Sequence, residues 1–149
     1  MILQRVEQAD WLSNAYLVVD EIGGTGVLVD SNAVGERSPL CHDPDAAREA
    51  GFADVVAPPM FAVVYSAPAV GPAVLDPEVG INFAMMVHGG QEFLWGAPVV
   101  AGDEITTASR VAEIYEKDGK GFYVFESVST NQDGAEVVRG TWTNIVRGL

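Results

Sequence analysis

The side chains best suited to proton transfer lie close together, between positions 36 and 42. Glu36 offers a carboxylate, Cys41 a thiol and His42 an imidazole, and enzymes use such groups as general acids and bases. Cys41 is a weak candidate near neutral pH because the reference pKa of a thiol is about 8.5. As a nucleophile it would need a nearby base, and His42 points away from it in an extended chain. A single cysteine and no zinc-type spacing predict neither a disulfide nor a structural metal.

Two predicted helices follow this segment. Asp43 is a candidate N-cap, Pro44 suits a first helical position and Gly51 suits a helix end, so a short helix is predicted over Ala46 to Ala50. The stretch from Pro59 to about Val70 is nearly all small or apolar. A helix without a polar face should be buried on most sides, wrapped by a sheet.

The C-terminal half predicts an antiparallel meander. Runs rich in β-branched and aromatic residues cover Glu104 to Ile114, Phe122 to Thr130 and Glu136 to Val146. Asp-Gly pairs between them supply the positive φ angles that tight turns require. A further strand is expected over Gly90 to Trp95. The fold class is therefore α+β, with an antiparallel sheet against a helix.

Several motifs occur in order from position 35 onward. They are Gly35-Glu36-Arg37-Ser38-Pro39-Leu40-Cys41-His42-Asp43-Pro44, then Ala57-Pro58-Pro59-Met60-Phe61, His88-Gly89-Gly90-Gln91-Glu92-Phe93 and Gly102-Asp103-Glu104. From about Ala33 onward the chain resembles the MaoC-like hydratases and dehydratases, which implies a hot-dog fold and reactions of (3R)-hydroxyacyl thioesters. Such chemistry pairs a carboxylate with an imidazole and needs amide donors for an enolate oxygen. The resemblance assigns those donors to Met60 and Phe61.

The sequence departs from the family pattern at its catalytic positions. Glu36 stands where the family has aspartate, Ser38 where it has asparagine and Cys41 where it has histidine. His42 would restore the imidazole only if the backbone turns it inward. This pattern resembles the accessory subunit of two-subunit dehydratases, which lacks the dyad and shapes the acyl channel.

The accessory interpretation implies a set of substrate-binding residues. The apolar side chains that would grip an acyl tail are Met60, Phe61, Val64, Tyr65, Met85 and Met86, although plain core packing explains the same residues. His88 and Gly89 allow a phosphate-cradling loop, but a turn before a strand fits a short glycine pair better. The expected ligand is an acyl-CoA or acyl-carrier-protein thioester, without a cofactor.

The expected partner is a catalytic MaoC-like subunit or a second copy of this chain. Two alternatives remain open. One is a self-sufficient homodimeric enoyl-CoA hydratase that uses Glu36 and His42. The other is a non-catalytic acyl-thioester binder or fusion protein.

The first 32 residues fit this family poorly. Ala15 to Asp20 and Gly26 to Asp30 predict a β-hairpin, where the family would place a strand and a long helix. This segment resembles the opening hairpin of metallo-β-lactamase-fold hydrolases, although their His-x-His-x-Asp-His motif is missing from the sequence. We therefore expect an atypical segment over 1–32, a hot-dog domain over 33–149 and a chimeric junction near 31–33.

Composition narrows the classes of partner. The net charge of −13 repels phosphate backbones, so nucleic-acid binding is not expected. The longest apolar stretch, Val55 to Val74, is broken by prolines, which disfavours a membrane span. The polar start of the chain does not have the layout of a signal peptide, so a cytoplasmic protein is expected.

Overall fold

The structure is a computed structural model that describes residues 36–148 in full and, ahead of them, the backbone of three strands. These strands form an antiparallel sheet in chain order: β1 (Ile2–Gln8), β2 (Ser13–Val19) and β3 (Gly26–Asp30). The predicted pairing of the second and third is confirmed, with Val19 opposite Gly26. β1 is a strand that the sequence analysis did not predict. The connection 21–25 and the suspected junction 31–33 lie outside the described residues.

The rest of the described chain contains two helices and a second sheet. The helices are α1 (Pro44–Glu49) and α2 (Ala62–Leu75). The strands are β4 (Met86–Trp95), β5 (Thr106–Lys117), β6 (Lys120–Thr130) and β7 (Glu136–Arg147). They are antiparallel in the order β4-β7-β6-β5, so the predicted α+β class and meander are confirmed. Within residues 36–148 no helix is long and apolar enough to cross a membrane.

The positive φ angles and the helix cap predicted from the sequence are present in the turns and in the short helix. Asp118 and Gly119 join β5 to β6 with φ angles of 53° and 67°, the left-handed conformation that suits a two-residue hairpin. Asp43 caps α1, and its carboxylate accepts from the amide of Asp45 at 2.9 Å. Gly51 follows the helix with a φ of 93°.

Helix α2 extends past the predicted end at Val70, to Leu75, although Pro68 and Pro72 lie inside it. Both prolines are exposed, so their rings do not disturb the core packing, although each removes one amide donor from the helix. The expectation of burial on most sides is confirmed, because every residue of the helix other than Pro68, Pro72 and Leu75 is buried or half-buried.

Helix α2 packs against β5 and β6 through apolar contacts and hydrogen bonds. Tyr123, Phe125, Ser127 and Ser129 alternate with less buried neighbours along β6, as expected for a strand with one face on a core. Two hydroxyl groups of β5 donate to carbonyl groups of α2. Thr107 reaches Tyr65 at 3.2 Å and Ser109 reaches Ala69 at 2.6 Å.

Strand β4 begins four residues earlier than predicted and includes His88 and Gly89. The predicted turn, and the alternative loop, are therefore wrong. The pairing with β7 shifts between His88 and Gly90, which indicates a β-bulge that absorbs one extra residue. A Cβ atom on Gly89 would overlap the side chain of Ile145, so glycine permits this close approach of β7.

Gly96 is the residue where we expect a single methyl group to be most damaging. A Cβ atom there would overlap the backbone carbonyl of Glu136, and backbone cannot rotate away as a side chain can. We expect Gly96→Ala to lower the free energy of unfolding by about 1–3 kcal/mol. Gly71→Ala is the matched control, because a Cβ in that helical position meets nothing within 4 Å. It should raise stability by up to about 1 kcal/mol, and urea denaturation of both variants would test the contrast.

Candidate active site

Glu36 uses its carboxylate to hold the local backbone. Its Oε1 accepts from the amide of Ser38 at 2.6 Å. Ser38 in turn caps a short 3-10 helix, Pro39–Cys41, because its Oγ accepts from the amide of Leu40 at 3.3 Å. The carboxylate is thus engaged in fixing the shape of the segment.

His42 folds back onto the same segment. Its Nε2 lies 2.9 Å from the backbone carbonyl of Glu36, and since a carbonyl only accepts, Nε2 carries the proton in this contact. The ring is half-buried. The backbone therefore brings the imidazole to Glu36, but to its carbonyl group, while the carboxylate of Glu36 contacts Ser38.

Cys41 lies inside the protein, with 6% of its surface exposed. Burial raises the pKa of its thiol, and the negative charge of Glu36 raises it further. The thiol therefore stays protonated at neutral pH. It is neither a base nor an activated nucleophile there.

The start of the central helix provides fewer amide donors than predicted. The amide of Phe61 donates to the carbonyl of Pro58 at 2.8 Å, so its prediction as a donor to an enolate oxygen is wrong for this conformation. Met60 comes one position earlier, where a helical amide has no partner within the helix, and its side chain is 60% exposed. Trp95 Nε1 donates to the carbonyl of Pro59 at 3.2 Å, which ties the end of β4 to this helix start.

A cavity of about 340 Å³ lies beside the helix start. Its lining is mostly apolar and comes from Val56, Ala57, Pro58, Pro59, Tyr65, Trp95, Gly96, Ala97, Pro98, Val99 and Val137. Tyr65 is buried there, and burial raises the pKa of its phenol to about 12. The volume falls within the range of about 300–1,000 Å³ that is usual for small-molecule pockets.

The predicted substrate-binding residues other than Met60 fall into two groups. Phe61, Val64 and Tyr65 belong to one core cluster near the cavity. Met85, Met86, His88 and Gly89 lie at the opposite end of β4, where Met86 pairs with Val146. Since Trp95 is nine positions beyond Met86, the two ends are about 30 Å apart along the strand. One chain does not bring both groups together.

Sequence reasoning missed the cavity residues contributed by 95–99 and by Val137. The Gly96-Ala97-Pro98 run predicts a turn, but it forms a bend after β4 in which the amides of Gly96 and Ala97 still donate to carbonyl groups of β7. No local pattern indicates that this bend lies against Pro58 and Pro59. Within residues 36–148, no group of three histidine, cysteine, aspartate or glutamate side chains could hold a metal ion.

Comparisons with known proteins identify the family. A family model described as "FAS1-like, dehydratase domain region" matches residues 20–139. A UPF0336 protein of Clavibacter michiganensis is 41% identical over 127 residues, 85% of each chain. Another of Thermobifida fusca is 34% identical over 141 residues, 93% of each chain. The chain belongs to this family of FAS1-like dehydratase regions, as the resemblance to MaoC-like enzymes predicts.

Solved structures with the same fold include two complexes from Mycobacterium tuberculosis. The C-terminally truncated HadBC (3R-hydroxyacyl-ACP dehydratase) complex has a TM-score of 0.68 at 24% identity, over 77% of this chain and 80% of that one. The ChsH1-ChsH2 complex has a TM-score of 0.62 at 20% identity, over 78% and 77%. A MaoC-like dehydratase has a TM-score of 0.70 at 24% identity, over 79% of this chain and 36% of that one. The predicted hot-dog fold is confirmed.

The family model also bears on the N-terminal segment. Its match begins at residue 20, ahead of the suspected junction, so the comparisons give no support to a chimera joined at 31–33. The division into 1–32 and 33–149 stays a prediction.

Burial of Tyr65 predicts a loss of stability at alkaline pH. Between the ordinary tyrosine pKa of 10.0 and about 12, the unfolded chain releases the Tyr65 proton while the folded chain keeps it. The unfolded state then binds fewer protons, so the free energy of unfolding falls as pH rises through this window. Tyr65→Phe should flatten that fall, as measured by urea denaturation at pH 9 to 12. An unchanged slope in the variant would show that burial does not perturb the phenol.

Proposed function

We propose that this protein is the acyl-chain-holding subunit of a (3R)-hydroxyacyl thioester dehydratase or enoyl hydratase, rather than the subunit with a complete catalytic dyad. The observation that carries the proposal is the state of the three candidate catalytic residues. The Glu36 carboxylate holds Ser38, the His42 ring holds the Glu36 carbonyl, and Cys41 is a buried thiol with a raised pKa. Such groups are poorly placed to exchange protons with a substrate.

The cavity supports the acyl-holding part of the proposal. An acyl chain is an apolar ligand, and burying it against apolar walls contributes about 0.8 kcal/mol per CH₂ group. Pro58, Val99 and Val137 offer such walls, and Trp95 and Tyr65 add aromatic surface. The predicted roles of Phe61 and Val64 fit the core cluster around this cavity. Met60, Met85, Met86, His88 and Gly89 remain predicted contacts that a partner subunit would have to complete.

A partner subunit is the second part of the proposal. β4 is an edge strand of the four-stranded sheet, and Leu94 and Trp95 on it are 71% and 55% exposed. An exposed edge with large apolar side chains favours pairing with another chain. The solved HadBC and ChsH1-ChsH2 structures are named as complexes of two subunits, which supports a catalytic MaoC-like partner for this chain.

The test is hydration of crotonyl-CoA, followed by the loss of enoyl thioester absorbance. We expect the purified chain to be inactive alone and to support activity when a catalytic MaoC-like subunit is added. Glu36→Gln and His42→Gln, which keep an acceptor for the Ser38 amide and a donor for the Glu36 carbonyl, should leave the activity of the mixture largely unchanged, because the partner supplies the dyad.

The opposite results have clear meanings. Hydration by the chain alone, lost in Glu36→Gln or His42→Gln, would replace the proposal with a self-sufficient homodimeric hydratase. Inactivity in every combination, with the fold intact by circular dichroism, would favour a non-catalytic acyl-thioester binder.

A further inference from the structure

Three cations stand side by side at one end of the sheet. Lys117 pairs with Lys120 across the β5–β6 hairpin, and Lys120 pairs with Arg147 of β7. Directly paired residues project from the same face of a sheet, and neighbouring strands lie about 4.8 Å apart. All three residues are exposed. We name Lys117, Lys120 and Arg147 the cationic row.

The cationic row is unusual in a chain of net charge −13. Arg48, Arg110 and Arg139 each form an ion pair with a carboxylate, whereas Arg37 forms none among the described residues. In the part of the chain that the structure describes, none of the row's three side chains forms an ion pair either. Like charges placed directly opposite each other destabilise a sheet, so the row carries a cost that a bound anion would relieve. Glu116 and Asp118 flank Lys117 in sequence and offset part of the row's charge, but neither forms an ion pair with a side chain of the row in the part of the chain that the structure describes.

An aromatic pair occupies the next position along the same face. Tyr115 pairs with Phe122, and their rings stack with centroids 4.8 Å apart and planes 2° from parallel. Tyr115 is 38% exposed. Aromatic surface beside cations suits a ligand that has both a planar ring and phosphate groups, because ring stacking and charge-assisted hydrogen bonds then act together.

We propose that the cationic row and the Tyr115–Phe122 pair bind the 3′-phosphorylated adenine end of coenzyme A. The choice of coenzyme A rests on the proposed function, which supplies a thioester substrate. In this arrangement the adenine ring lies against the aromatic pair, and Lys120 and Arg147 donate to the phosphate oxygens. Arginine suits bidentate contact with phosphate, and lysine suits a compact charge.

The location of the row suggests which subunit holds the rest of the ligand. The row lies at the Met86 end of the sheet, since Met86 pairs with Val146, whereas the cavity lies at the Trp95 end. Antiparallel pairing of β4 with an equivalent strand would place the Met86 end of this chain beside the Trp95 end of the partner. The thioester whose adenine binds here then has its acyl group in the partner's site.

Calorimetric titration of the full chain with coenzyme A tests the site directly. We expect Lys120→Gln/Arg147→Gln to weaken binding by at least about tenfold, since hydrogen bonds to charged groups are the stronger kind. Arg110→Gln is the matched control, because Arg110 is an exposed cation of β5 that already pairs with Glu126. It should bind like the wild type. Dephospho-coenzyme A should bind more weakly than coenzyme A, and adenosine 3′,5′-bisphosphate should compete.

Equal affinity of the wild type and the double variant would overturn the site. So would equal affinity for coenzyme A and dephospho-coenzyme A, or binding of vesicles rich in anionic lipid without binding of coenzyme A. The crotonyl-CoA assay separates this outcome from failure of the proposed function. If the mixture hydrates crotonyl-CoA and the double variant binds coenzyme A as tightly as the wild type, the proposed coenzyme A site is wrong and the proposed function stands. If the double variant binds coenzyme A more weakly but no mixture hydrates crotonyl-CoA, the proposed function is wrong and the coenzyme A site stands.

Discussion

The packing of helix α2 against β5 and β6 is the contact on which the other features depend. Val70 packs in one core cluster with Tyr123 and Phe125 of β6. At the helix start, Phe61, Ala62 and Tyr65 pack in a second cluster with Val137 and Val138 of β7. Each large apolar side chain that is fully buried contributes about 1.5–3 kcal/mol relative to exposure. This packing fixes where the helix begins. Pro58 and Pro59, just before the helix, line the cavity, and the segment that follows Glu36 leads to them along the chain.

Backbone contacts of Val56 connect the chain just before the helix start to the candidate site. Val56 forms an isolated bridge with Val100, and the amide of Val56 donates to the carbonyl of Leu40 at 2.8 Å. The backbone around Cys41 is thereby tied to the helix start on one side and to the turn after β4 on the other. The burial that raises the pKa of Cys41 follows from this connection, because the segment has little freedom to expose the thiol to water.

The predictions that succeeded rest on short-range chemistry. An Asp-Gly pair specifies a tight turn because of its φ angles, and Asp43 followed by Pro44 specifies a helix start because of its hydrogen bonds. Alternating apolar residues predicted three strands of the meander for the same reason. These features depend on a few adjacent residues, so the sequence alone is enough to place them.

The predictions that failed involve partners far apart in sequence. Gly89 reads as a turn residue, but its conformation is set by the approach of Ile145 from another strand. The amide of Phe61 is a local exception, because it donates to the carbonyl of Pro58 only three residues earlier, in a 3-10 turn that the sequence analysis did not predict. The cavity draws on the bend after β4 and on Val137, and no periodicity relates these to Pro59. The residues that form the walls of the cavity can be identified only in the folded chain.

The segment from Glu36 to Asp43 keeps its shape without the dyad that its family resemblance implies. Ser38 and Asp43 cap its two helical turns, Glu36 holds the backbone ahead of them, and His42 closes the segment onto itself. Each contact is a side-chain-to-backbone hydrogen bond, which stabilises local structure whether or not a reaction takes place nearby. An imidazole at position 41 would have to compete with this arrangement for space and for the Glu36 carboxylate. The hydrogen bonds of the segment thus serve its own local structure, which agrees with the proposal that another subunit supplies the dyad.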